Sequence, residues 1–301
     1  MSLIVTGSIG IDTVKTPYGM NEECIGGSAI YFSLAASFFA PVKLIGVVGE
    51  DCPFDLEAFF KGRDVDLEGL EVRKGSKTFR WIGSYEGGMN EAKTDAVELN
   101  VLAEAPPHVP ESFGDSDYVF LANTSPSLQM KLLDQLGATS FVAADTMNLW
   151  ITTAQENLRR LLKRIDMLIL NDGEAKLLTG RSNLVTAAEQ ILSMGPKYVI
   201  IKKGEHGSMM CDFAGQIFLL PAFPTGIVID PTGAGDSFAG GMMGYLAQAD
   251  TVDYVTLRKA IVYGTVISSF TISDFSVHGI QRVTNEMIEE RFEMLRKVTQ
   301  F

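Results

Sequence analysis

Positive charge is what this chain has least of. Its 301 residues carry 25 Lys and Arg against 37 Asp and Glu, a formal net charge of −12, and no basic run interrupts that balance. Such a surface repels nucleic acid and anionic membranes, so neither is expected as a partner. Cysteine is scarce as well: Cys24, Cys52 and Cys211 are odd in number, widely spaced and without a C-x-x-C pair, so neither a disulfide framework nor a cysteine zinc site is indicated. Reduced thiols of this kind suit a cytoplasmic protein. The three histidines, His108, His206 and His278, stand in no ligand spacing. No apolar stretch approaches the roughly 18–20 residues of a spanning helix, and the first residues have neither the basic start nor the apolar length of a signal peptide. The P-loop pattern G-x-x-x-x-G-K-[ST] is absent, and no G-x-G-x-x-G follows the first apolar run.

What is there is a large apolar inventory. Hydrophobic residues make up 46% of the chain, with 18 Phe and 13 Met, enough for an extensive core. Leu3 to Ile9 reads as a short buried strand, Ser28 to Ala40 as a helix opened by Gly26-Gly27 and stopped at Pro41, and Val42 to Val48 as a second strand. Continuous apolar runs in a β–α–β–α rhythm are the pattern of parallel strands buried on both faces. The rhythm breaks between about 70 and 101, where Thr78 to Tyr85 and Asp95 to Val101 alternate polar and apolar around Gly87-Gly88-Met89-Asn90. It then resumes, with strands at 118–122, 141–144, 167–170 and 198–201, a hairpin turned at Ala214-Gly215 and a mainly helical end from Gly233. The expected fold is therefore α/β: a doubly wound, mostly parallel sheet flanked by helices, in one domain of residues 1–301. A small antiparallel β lid is inserted from about 11–18 and 70–101. The ligand site belongs at the carboxyl ends of the strands.

The most informative stretch, DPTGAGDSFAGG from Asp230 to Gly241, follows apolar Ile227 to Ile229 and leads into a helix through about Ala247. Gly233 and Gly235 leave backbone amides unobstructed at a helix N-terminus, which carries roughly half a positive charge and so cradles an anion. Asp236 lies in the same first turn. A plain turn capped by Thr232 accounts for one glycine and one acid, but not for two glycines and an acid beside Ala239, Gly240, Gly241 and Gly244.

This segment resembles the C-terminal signature of the ribokinase-like (PfkB-type) carbohydrate kinases, and the layout of the whole chain is similar to theirs. The resemblance implies an ATP- and Mg²⁺-dependent kinase. In it, Gly233, Ala234 and Gly235 form an anion hole for the transferring phosphate, and Asp236 takes the acceptor hydroxyl proton. Asn171-Asp172-Gly173-Glu174 pairs a capping residue with an acid three residues on. It also resembles the family's Asn-x-x-Glu motif, so Asn171 and Glu174 are expected to organise Mg²⁺ and phosphate, Glu174 through water. Lys202-Lys203-Gly204-Glu205-His206-Gly207 resembles the Gly-x-x-Gly loop beneath the nucleotide, with Lys202 or Lys203 in reach of a phosphate. Ser273 to Gly279 occupies the place where relatives close over adenine, and Asp230 and Thr232 could join a monovalent-cation site there.

The same resemblance assigns the acceptor to the N-terminal half. Asp12 ends the first strand, where a carboxylate can accept two hydrogen bonds from a diol. Gly26-Gly27-Ser28-Ala29-Ile30-Tyr31 resembles the family's Gly-Gly-x-x-x-Asn segment, with Tyr31 in place of a hydroxyl-binding Asn. That change suggests an acceptor flatter than a pentose, such as a nucleoside, with Arg80, Trp81 and Tyr85 of the lid supplying further contacts. Competing readings are a non-catalytic sugar- or nucleotide-binding regulatory protein on the same fold and a kinase for a vitamin-precursor alcohol. The lid could also pair two chains into a homodimer.

Overall fold

The computed structural model describes residues 1–114 and 116–300. Thirteen strands are present among the described residues. In chain order they are β1 (Leu3–Thr6), β2 (Gly10–Thr16), β3 (Gly19–Gly26), β4 (Val42–Gly49), β5 (Val65–Arg73), β6 (Phe79–Tyr85) and β7 (Ala92–Glu98), followed by β8 (Tyr118–Leu121), β9 (Phe141–Asp145), β10 (Met167–Asn171), β11 (Tyr198–Lys202), β12 (Ser208–Asp212) and β13 (Ile217–Leu220). Nine of them form one sheet in the order β13-β12-β11-β10-β9-β8-β1-β4-β5. From β11 to β5 every pair is parallel, and β12 and β13 complete one edge as an antiparallel hairpin. The switch in connection order between β1 and β8 opens the crevice of a doubly wound sheet at the carboxyl ends of the strands.

Strands buried on both faces explain the continuous apolar runs. In β1, Leu3 and Val5 enter one core and Ile4 the other. Four helices matter to the site: α1 (Ser28–Ala36), α2 (Asp172–Thr179), α3 (Ala234–Ala249) and α4 (Tyr254–Thr271). The first, third and fourth cover the Leu3 face of the sheet, and α2 lies on the other. Close approach within that layer depends on glycine. A Cβ on Gly240 would overlap the Phe32 carbonyl, one on Gly244 would meet the Ala36 carbonyl at 2.8 Å, and one on Gly264 would meet that of Phe238 at 2.6 Å.

The smaller sheet, β3-β2-β6-β7, stands over the crevice. It is antiparallel at both flanks, but its central pair, β2 and β6, runs parallel. Its limits differ from the sequence reading of 11–18 and 70–101. Strand β3 adds residues 19–26, which give no hydrophobic signal because only Ile25 and Gly26 of them are buried. Residues 70–73 instead complete β5, which pairs in parallel with β4 at the edge of the large sheet. After β9, two short helices, Asn148–Thr153 and Gln155–Leu162, meet at Ala154 with φ −130°.

The glycine contacts reverse an ordinary rule. Gly→Ala in an exposed helix interior gains about 1 kcal/mol. Gly240→Ala should instead lose about 1–3 kcal/mol, the usual cost of overpacking, in urea denaturation; a gain would show that α1 and α3 are not in contact there.

Candidate active site

A cavity of about 980 Å³ lies between the two sheets. Asp12 and Trp81 line it from the small sheet, and Asn171, Lys203, Gly233 and Asp236 from the large sheet and its helices. The small sheet is closed down on this space. Asn90, in the turn between β6 and β7, donates to the Glu205 carboxylate at 3.4 Å and accepts from the Glu205 amide at 3.4 Å. Farther in, the Thr232 hydroxyl donates to the Tyr85 hydroxyl at 3.3 Å.

The helix start predicted from DPTGAGD is present. Gly233 is the N-cap of α3 in the left-handed region, φ 74°, with no side-chain cap. Its α-carbon lies on the Tyr31 ring, where any Cβ would overlap. The Ala234 amide bonds the Pro231 carbonyl at 3.1 Å, so it closes the turn and is not free for a ligand. Among the described residues, the amides of Gly235 and Asp236 have no backbone carbonyl partner, which leaves them as the donors of the cradle. A Cβ on Gly235 would meet the Lys202 Nζ at 2.5 Å, so an ammonium lies directly against this helix start.

Around the cradle, carboxylates are buried with little compensation. Desolvation pushes the Asp236 carboxyl above the usual range, opposed by the positive charge of Lys202. The Glu174 carboxyl is raised for the same first reason, although Lys202 and the Asn171 amide pull it down. Asn171 and Glu174 form a reciprocal capping box at the start of α2, with two bonds of 2.7 Å. Asp12 is raised from 3.8 to about 7, by burial first and then by the charges of Asp230 and Asp236, against the Gly27 amide. Its Oδ1 has no hydrogen-bond partner. Asp145, which the sequence reading passed over by ending the strand at Ala144, is also buried with an unpartnered Oδ1, and desolvation raises its carboxyl well above the usual range. Its signal was available: it continues the every-second-residue pattern of Phe141 and Ala143 to the carboxyl end of β9.

Other predicted residues divide between lining and support. Gly27 and Gly204 line the cavity. Gly26 gives the Asp12 carboxylate its room, since a Cβ there would overlap Oδ2. Gly207 packs on the Leu220 carbonyl and Gly279 on that of Phe270, and neither lines the cavity. Thr232 does line it, and its amide donates to Asp230 Oδ1 at 2.9 Å. The Ser276 amide donates to Asp230 Oδ2 at 3.0 Å, so Asp230 ties the 230–232 loop to the 273–279 segment.

One acceptor expectation needs correction and a second needs refinement. Arg80 points to the outer face of β6, where it bonds Glu23 at 3.0 Å and approaches Asp51 at 3.6 Å, because its neighbours Phe79 and Trp81 take the inward positions. Tyr31 lines the cavity but is 2% exposed, with its ring against Gly233, so it also supports the cradle from beneath. Among the inward aromatics of β6, Trp81 is level with Asp12 across β2 and β6, its indole lies over Gly83, and its Nε1 donates to Thr94 at 3.1 Å.

A doubly wound sheet whose crevice holds an open helix start beside an ammonium is an arrangement suited to holding an anion. Comparison with known proteins is specific: the pfkB family carbohydrate kinase pattern matches residues 23–280, and the chain belongs to that family. It is 30% identical over 249 residues to a cytidine kinase of Thermococcus kodakarensis, covering 81% of this chain and 87% of the relative. Among solved structures it is similar to a Cryptococcus neoformans ribokinase in complex with ADP (TM-score 0.79, 20% identity, 96% and 99% of the two chains covered). It is also similar to a Burkholderia thailandensis nucleoside kinase in complex with inosine (TM-score 0.76, 20% identity, 97% and 98% covered).

The raised Asp12 has a consequence for stability. The folded state binds this proton more tightly than the unfolded chain. The stabilisation is therefore full below the ordinary value of 3.8 and is lost as pH rises through about 7. Asp12→Asn should melt higher than the parent at pH 8, with the gap closing towards pH 4; each tenfold change in proton affinity is worth about 1.4 kcal/mol. Equal melting temperatures at both pH values would show that Asp12 is solvated.

Proposed function

We propose that the chain transfers the γ-phosphoryl group of ATP to a hydroxyl of a nucleoside, with Asp236 as the base. The pairing of Asp12 with Trp81 across β2 and β6 carries the choice of acceptor. A carboxylate suited to a ribose diol stands beside a flat indole suited to a base, and base–aromatic stacking is worth about 1–3 kcal/mol. The similarity to a cytidine kinase agrees with that choice.

In the reaction, the acceptor oxygen forms a bond to the γ-phosphorus as the bond to the ADP oxygen breaks, and the hydroxyl proton passes to the Asp236 carboxylate. Burial raises the affinity of Asp236 for a proton, which favours its acting as a base. The Gly235 and Asp236 amides and the α3 dipole hold the transferred group, where positioning and charge stabilisation carry most of the catalysis. Among the described residues, no three acidic, cysteine or histidine side chains come close enough to hold a metal directly. A Mg²⁺ held through water at Glu174 fits this donor set, and it would neutralise phosphate charge. Each Asp230 oxygen accepts one backbone amide and keeps further lone-pair capacity, so a monovalent cation could still join the 230–232 loop to the 273–279 segment. We also place the lid function in the small sheet, since its closure over the acceptor would exclude competing water. Its outer face, with Met20 and Ile82 exposed, is where two chains would pair in a homodimer.

Asp236→Ala should retain ATP affinity within about threefold while kcat falls by about 10²–10⁴, the usual share of a general base. Near-normal turnover would remove Asp236 from the mechanism. Trp81→Ala should raise KM for a nucleoside by about tenfold, as the loss of one stacked base predicts, and leave KM for free ribose unchanged. An equal change for both acceptors, read by ADP release over a panel of sugars and nucleosides, would rule out a base site at Trp81.

A further inference from the structure

The reaction above gives Asp145 no task, yet this carboxylate is buried at the carboxyl end of β9 with Oδ1 unpartnered. An ionised carboxylate in that condition is costly unless an opposite charge stands near it. The strand register identifies the charge. Asp145 is level with Ile169 of β10, which is level with Ile200 of β11. Two residues on, Asn171 and Lys202 are level with each other. Alternation therefore puts Asp145, Asn171 and Lys202 on one face of the sheet, the face that Ala143, Ile169 and Ile200 share with α3.

The Lys202 ammonium lies against Gly235 of the cradle, and no carboxylate comes within 4.0 Å of it among the described residues. Its charge nonetheless acts on Asp145, Glu174 and Asp236 together. Glu174 is already committed to the Asn171 amide, and Asp236 faces the acceptor. Asp145 is what remains to hold the lysine in place.

We propose that Asp145 is a positioning residue for Lys202: its carboxylate draws the ammonium under Gly235, where Lys202 contacts the transferred phosphoryl group. The proposal rests on reading the α3 start as the phosphoryl site. A flexible four-carbon stem gains most from such an anchor, because it otherwise loses entropy each time it must meet the phosphate.

The test is a cycle of four proteins, the parent, Lys202→Met, Asp145→Asn and the double variant, compared by calorimetric ATP affinity, by kcat on the best acceptor and by melting temperature. Lys202→Met should weaken ATP binding about tenfold and lower kcat about hundredfold, as expected for loss of a charge at the transferred group. Asp145→Asn should lower kcat about tenfold in the parent and leave it almost unchanged in the Lys202→Met background, because the two act as one unit. Its melting temperature is read beside the parent's so that a fall in kcat through unfolding is recognised, because removing one member of a buried charge pair can itself destabilise the fold; Asp145→Ser replaces it if the Asn variant does not fold. Independent, multiplying effects on kcat would overturn the proposal, and so would a lower melting temperature with kcat and ATP affinity intact. Unchanged ATP affinity in Lys202→Met would overturn it even if no acceptor is turned over. Full activity of Asp236→Ala would instead count against the phosphoryl site itself.

Discussion

The approach of helix α3 to its neighbours is the contact on which the crevice depends. Gly233 lies on the Tyr31 ring, Gly240 on the Phe32 carbonyl and Gly244 on that of Ala36, so α1 and α3 meet almost backbone to backbone. Interiors packed at crystal-like density transmit small displacements, and one added methyl along this seam would move the helix start relative to the sheet. The Gly235 and Asp236 amides, the Lys202 ammonium and the Asp236 carboxylate keep their places because that seam is rigid. Tyr31 holds the first turn from beneath, which explains why a large side chain is accommodated next to a glycine loop.

Electrostatics then divides the work. The chain carries a net charge of −12 and repels anions at long range. Around the crevice, the carboxyls of Asp12, Asp145, Glu174, Asp230 and Asp236 are all raised through burial, and the charge of Lys202 opposes this at Asp145, Glu174 and Asp236. Such an arrangement stores unfavourable charge in the folded protein, a form of local instability that binding sites tolerate when the rest of the fold supports it. Asp230 is the exception in purpose. Its two amide partners make it a tie between the loop before α3 and the segment after α4.

The signature from Asp230 to Gly241 was legible because its information is local: glycines, a carboxylate and a helix start lie within one turn of each other. The capping box at Asn171 and Glu174 was legible for the same reason, and the structure contains both of its bonds. Asp145 was not, since a single acid at a strand end acquires meaning only when β10 and β11 bring Asn171 and Lys202 to the same face. Arg80 and Trp81 show the same limit. The alternation in β6 was plain, but which of the two pointed inward depended on the parallel pairing with β2. Strand β3 was not legible because only its last two residues are buried, and its pairing with β2 is set by backbone bonds rather than by apolar side chains.

By itself the sequence determined the class of fold, the family and the glycine-spaced helix start of α3, because periodicity and such a start are properties of neighbouring residues. Only the tertiary structure decided what stands around that start. Tyr31 became a support beneath Gly233, Arg80 an outer-face ion pair and Asp145 a member of the buried charge group. Each of those outcomes depends on which strands lie side by side and on which face a side chain leaves the sheet. Those are relations between residues far apart in the chain, fixed by packing rather than by spacing.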